Sequence, residues 1–154
     1  MPSSLGIKDS EITNQGNKIL RIANSTFQGT RRAIHLLDVG ETSCLALSGI
    51  LTQKKIKNVI AVDERTTRML VEKPENLKRI LEKKISTKIN IKKDNLKFFK
   101  GFGIIRSTEL VYVAYKKGLV KLKGSNVLGG LLYAMKFKGA AISGDEIEEI
   151  KKIG

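Results

Sequence analysis

Apolar residues along this chain recur mostly with helical spacing, interrupted by a few short runs of strand character. Asp38 opens a helix over roughly Val39–Lys54, with Leu45, Ala46, Ser48 and Leu51 supplying one face. Asn58–Val62 is a short run rich in β-branched residues and reads as a buried strand ending at Asp63. Glu64–Lys73 reads as a helix. Pro74, at the favoured first position, starts another that runs to about Lys84. Thr87–Ile91 is a candidate edge strand. Thr108–Lys117 and Val127–Lys138 are helices that stop at Gly118 and Gly139. Ser143 caps the last helix, with Glu146 three residues on as its capping-box partner.

The first third is less regular. Residues 1–17 carry turn formers such as Pro2, Gly6, Asn14, Gly16 and Asn17, and read as an irregular segment. Lys18–Ala23 alternates apolar and basic residues and reads as a short strand. Asn24–Gly29 reads as a loop and Thr30–Leu37 as a helical turn. Helices alternating with short apolar strands predict an α/β sandwich with a mostly parallel sheet, which is thin for 154 residues. The expected organisation is an irregular segment over 1–17 and one domain over 18–154.

Charge sharpens this picture. The chain has 29 Lys and Arg against 15 Asp and Glu, a net charge of +14. So large a surplus points to a polyanionic partner, nucleic acid first; a solvated basic surface with no specific partner is the next reading, and an anionic membrane surface the last. Apolar runs fall short of the ~20 residues of a membrane span, and no signal peptide is legible. With Cys44 as the single cysteine, no internal disulfide and no cysteine-rich metal site are available. The expected compartment is the cytoplasm. Cys44 reads as a small buried hydrophobe, and His35, the one histidine, as a surface residue rather than a general base.

Two carboxylates draw attention by position. Glu41 lies in the first turn of the Val39 helix, and Asp63 directly follows the Asn58–Val62 strand. A short turn, 55–57, joins that helix to that strand, so they pack antiparallel. Glu41 and Asp63, with Glu64 adjoining, are thus expected at the carboxyl edge of the sheet, where open α/β sheets bind ligands. Carboxylates gathered there suit Mg²⁺ or Mn²⁺, hard cations that activate water for phosphodiester hydrolysis. Equally, Asp38 and Glu41 fit a capping box, and Asp63 and Glu64 fit the start of the helix that follows.

The stretch Gly40-Glu41-Thr42-Ser43-Cys44-Leu45-Ala46-Leu47, followed by Val59-Ile60-Ala61-Val62-Asp63-Glu64-Arg65-Thr66-Thr67-Arg68, resembles the central motif pair of PIN-domain nucleases. Arg106-Ser107-Thr108-Glu109-Leu110, leading into Gly118-Leu119-Val120, is similar to the late strand and helix of that family, and 127–153 to its paired terminal helices. The resemblance covers roughly residues 18–153. It implies a three-layer sandwich and a metal-dependent ribonuclease using Mg²⁺ or Mn²⁺. Glu41 and Asp63 would be catalytic metal ligands and Glu64 a further acidic member, with Ser107 and Glu109 as additional site residues. A homodimer and an antitoxin-like protein partner are also among its implications.

The family begins with a strand bearing an aspartate ligand, and none is read here; Asp9 lies in a polar segment. The expectation is therefore a domain incomplete at its N-terminus, through a start further upstream or through degeneration of the site. It brings with it exposed apolar surface and an unpaired strand edge. The alternative function is a non-catalytic basic RNA-binding module.

The expected RNA-binding residues are Arg31, Arg32, Arg65 and Arg68 near the acidic edge, and Lys78, Arg79, Lys83 and Lys84. The latter four fall in 73–100, which holds ten Lys and Arg against Glu75, Glu82 and Asp94. Phe98, Phe99 and Phe102, interleaved with Lys97 and Lys100, fit either core packing or base stacking.

Overall fold

Asp9–Thr26 is a single helix, α1. The computed structural model describes residues 5–29 and 34–153. Asp9 and Glu11 in the first turn of α1 complement the positive end of its dipole. Ile12, Gly16, Ile19, Ala23 and Thr26 recur every three to four residues and form its covered side, with Gly16, Ala23 and Thr26 fully buried. Residues 9–17 are thus not irregular, and Lys18–Ala23 is the second half of a helix rather than a strand. Tertiary burial overrides the weak propensity of Asn14, Gly16 and Asn17.

Strand β1, Phe27–Gly29, follows directly, where a loop is expected from sequence. Of the expected turn over Thr30–Leu37, 30–33 lie outside the described residues and 34–37 are not helical. Helix α2 is Val39–Gln53 and packs against α1. The chain then forms β2 (Ile60–Ala61), α3 (Arg65–Glu72), α4 (Pro74–Ile85) and β3 (Ile89–Ile91). A short helix α5 (Lys93–Leu96) and a 3₁₀ turn (Lys97–Phe99) lead to β4 (Ile104–Ile105). Helices α6 (Ser107–Lys116), α7 (Val127–Phe137) and α8 (Gly144–Ile153) complete it.

The chain divides into two compact units, one of 1–60 and 66–103, the other of 61–65 and 104–154. In the first, β1 and β3 pair antiparallel, with Phe27 opposite Ile91 and Gly29 opposite Ile89. Phe27, Leu45, Leu70, Ile89 and Phe99 are fully buried there. The second has its own core of Leu128, Leu132, Ile142 and Ile147, flanked by Tyr112 and Tyr115. Gly118 and Gly139, at φ 68° and 102°, take the left-handed conformation that ends α6 and α7.

The fold is mixed α/β and mostly helical, with two two-stranded sheets among the described residues. Of these, β1/β3 is antiparallel, against the expectation of a mostly parallel sheet. The β2/β4 pair follows the expectation: Ile60 N–H donates to Gly103 O and Val62 N–H to Ile105 O. Donors and acceptors advance together, as in a parallel ladder.

Candidate functional site

In the second unit, Asp63 follows β2 and Ser107 begins the helix after β4. The N–H of Ser107 donates to Asp63 Oδ1 at 2.9 Å. A helix start leaves its first N–H groups without intrahelical partners, and the carboxylate supplies one from a distant segment. Both residues stand just beyond the carboxyl ends of the parallel pair, the edge where α/β sheets hold ligands. Asp63 is half-buried, Glu64 beside it is exposed, and the Ser107 and Thr108 hydroxyls are buried without a hydrogen-bond partner.

Next to this pair, Glu109 folds back on the start of α6. Its Oε2 accepts the Arg106 N–H at 2.8 Å, and its Oε1 accepts Arg106 Nε at 3.0 Å. Arg106 Nη1 donates to Glu146 Oε1 at 3.3 Å. Glu146 also accepts the Ser143 N–H at 2.8 Å, while Ser143 Oγ accepts the Glu146 N–H at 3.1 Å, so the expected cap of α8 is present. Burial alone would lower the Arg106 pKa, but the hydrogen bonds and charges of Glu109 and Glu146 outweigh it and raise the value further. The Ser143 N–H, above all, holds the Glu146 carboxyl below the ordinary carboxylate range; burial opposes this and Arg106 adds to it.

Glu41 belongs to the first unit. Its Oε2 accepts the Asp38 N–H at 3.1 Å, closing the capping box of α2. A relay leads to that helix start from α1. Asn24 Oδ1 accepts the N–H groups of Leu36 at 2.7 Å and Leu37 at 3.3 Å, which leaves Asn24 Nδ2 to donate to His35 Nδ1 at 3.3 Å. His35 Nε2 is then the donor to Asp38 Oδ1, at 2.8 Å. His35 is exposed, as expected, and its ring bridges α1 to the start of α2. Cys44 is exposed rather than buried.

Among the basic candidates, Arg79, Lys83 and Lys84 are exposed on α4, and Lys78 is half-buried 3.9 Å from Glu82. Arg65 is exposed; Arg68 is half-buried, with Nη1 fully buried and without a hydrogen-bond partner. Arg31 and Arg32 lie outside the described residues. Nineteen of the 29 Lys and Arg fall in the first unit with eight of the 15 acids, so that unit holds +11 of the +14.

Asp63 meets Ser107 and Glu109 meets Arg106, whereas Glu41 is engaged within its own helix start. No local pattern in the sequence marks Asn24, or pairs Arg106 with Glu146. The capping motif at Ser143 was the one visible signal for Glu146. Among the described residues, no group of three or more His, Cys, Asp and Glu is gathered to hold a metal ion, and no helix is long and apolar enough to cross a membrane. No protein-family model matches the chain, and neither a curated protein nor a solved structure does.

Proposed function

We propose that this chain is a PIN-type ribonuclease domain, acting on RNA with Mg²⁺ or Mn²⁺. The observation that carries this reading is the pairing of Asp63 with Ser107 beyond the carboxyl ends of parallel β2 and β4. Two residues that the motif resemblance names in separate stretches of the chain are thereby neighbours. The parallel β2/β4 pair is of the kind that family's sheet requires, and the antiparallel β1/β3 pair departs from it.

The donor set of the second unit fits a sparse cation site. Glu109 is engaged with Arg106, and Asp63, with the adjacent Glu64 that the motif resemblance names, would hold the ion. Mg²⁺ is commonly bound through one or two carboxylates, with waters and substrate phosphates completing its shell. Bound there, the ion would activate water and neutralise charge on the scissile phosphate. The chain's own contribution is to fix Asp63 through the Ser107 N–H and to bind the RNA backbone on its basic first unit.

The test is cleavage of single-stranded RNA by the purified chain with Mn²⁺, against EDTA and against Asp63→Asn. Asparagine keeps an acceptor for the Ser107 N–H but removes the charge, so the expected result is intact folding with cleavage reduced at least about 100-fold. Cleavage that survives Asp63→Asn, or an intact chain that does not cleave with either metal, sinks the reading. The second reading, a non-catalytic RNA-binding module, is favoured by the engagement of Glu41 and Glu109 with the backbone N–H groups at their own helix starts. It predicts RNA binding that is indifferent to EDTA and falls steeply with salt.

A further inference from the structure

The three phenylalanines near residue 100 have separate environments. Phe99 is buried at 1% exposure, Phe102 is half-buried, and Phe98 is 51% exposed. Phe98 is the one exposed aromatic residue of the first unit among the described residues.

Its exposure is not that of a loose loop. Lys92 N–H donates to Thr26 O at 2.9 Å, and Asn95 Nδ2 donates to Ser25 Oγ at 3.1 Å, fastening this segment to the end of α1. With Phe99 anchored in the core, its neighbour Phe98 is directed outward. There it lines a groove of about 230 Å³ between α1 and α2, with Ile19, Ile22 and Phe102 as apolar walls and Gln15 and Gln53 as amides. The Lys18 ammonium, also in the lining, stands 5.8 Å from the Phe98 ring centroid. Lys97 and Lys100, the flanking lysines, are exposed, and Lys97 is paired with Asp94.

We infer that this groove binds an unpaired base of single-stranded RNA, stacked on Phe98, with the adjoining phosphates held by Lys18 and Lys100. The inference rests on the RNA-directed reading above but concerns a different surface. The groove itself is mostly apolar, with Lys18 its one charged lining residue, and an aromatic face beside lysines is how proteins hold single strands without reading sequence. The groove is smaller than the roughly 300 Å³ from which drug-sized pockets begin, and suits one planar ring. Glutamine amides offer both a donor and an acceptor, as base edges require. The exposed cation–π interaction of Lys18 is weaker than a base stack, so a base displaces it. Charge selects the occupant, since this groove lies in the unit that carries +11.

The test is fluorescence anisotropy of a labelled oligouridine, and of an RNA duplex, with the full chain in EDTA. Phe98→Leu is expected to weaken oligouridine binding roughly 5- to 100-fold and to leave duplex binding unchanged, while Phe98→Trp retains the affinity. Oligouridine affinity within twofold of wild type in Phe98→Leu overturns the inference. So does an equal loss on duplex, or a Phe98→Leu variant that changes only self-association, which would make the groove an interface between copies. The two readings fail separately. Unchanged binding in Phe98→Leu beside Asp63-dependent cleavage removes the stacking surface alone; Phe98-dependent binding without any cleavage removes the nuclease alone.

Discussion

Asp63 Oδ1 accepts the backbone N–H of Ser107 at 2.9 Å, joining positions 44 residues apart. Asp63 is thus both a candidate ligand and a cap for α6. Asp63→Ala should lower stability by about 1–2 kcal/mol, because a helix-start N–H loses its acceptor in a half-buried place. Asp63→Asn should lose less than Asp63→Ala. Urea unfolding of the two variants beside wild type checks this, and equal losses would show that the hydrogen bond contributes nothing.

Gly16→Ala should stabilise the protein by up to about 1 kcal/mol. Gly16 lies within α1, where alanine is favoured over glycine. A methyl group there would meet Ser43 Oγ and Thr42 O at 3.7 Å, an ordinary van der Waals distance. A raised Tm is the expected result; an irregular segment at this position would give no such gain.

The contrast with the sequence is clearest at that residue. Asn14, Gly16 and Asn17 look like turn formers, and nothing local shows that α2 will cover the side of the helix where Gly16 lies. The later helices were legible because their ends are signalled locally, by Pro74, Gly118, Gly139 and the Ser143–Glu146 box. Asp63 and Ser107 were each legible as candidates, but their pairing depends on β2 and β4 lying side by side, which no local pattern encodes. The separation of Phe98 from Phe99 is likewise a result of tertiary packing.

Asn24→Ala should cost about 1–3 kcal/mol, since the Leu36 and Leu37 N–H groups lose their shared acceptor and His35 loses a donor. Asn24→Asp keeps the acceptor and should recover part of the loss. Chemical denaturation of both variants gives the comparison.

Glu146 yields a pH dependence. Its carboxyl lies below the ordinary range in the folded protein. Its contribution is therefore complete above the unfolded value, about 4.3, and is lost as pH falls through the folded value. Because the side chain is 44% exposed, screening keeps the effect below about 1 kcal/mol. Tm measured from pH 7 down to pH 3 should fall less steeply in Glu146→Gln than in wild type. A parallel fall would remove the Arg106–Glu146 pair as a source of acid sensitivity.

Replacing Lys83 and Lys84 together with glutamine should weaken RNA binding on every sequence alike. On a single strand, the plot of log affinity against log salt should flatten by about 0.7 for each phosphate that the protein no longer neutralises. Titrations at several salt concentrations read this directly; an unaltered slope would take α4 out of the RNA-binding surface.

The second unit draws on two stretches, 61–65 and 104–154, with residues 66–103 of the first unit between them. During synthesis, then, the segment holding Asp63 leaves the ribosome well before α6, the helix it caps, and must wait for it until the intervening residues 66–103 have been made. The first unit closes only once that same stretch has emerged. Neither half can be released as a finished body early in translation, and a fragment that begins at Ile104 would carry a helix start stripped of its acceptor.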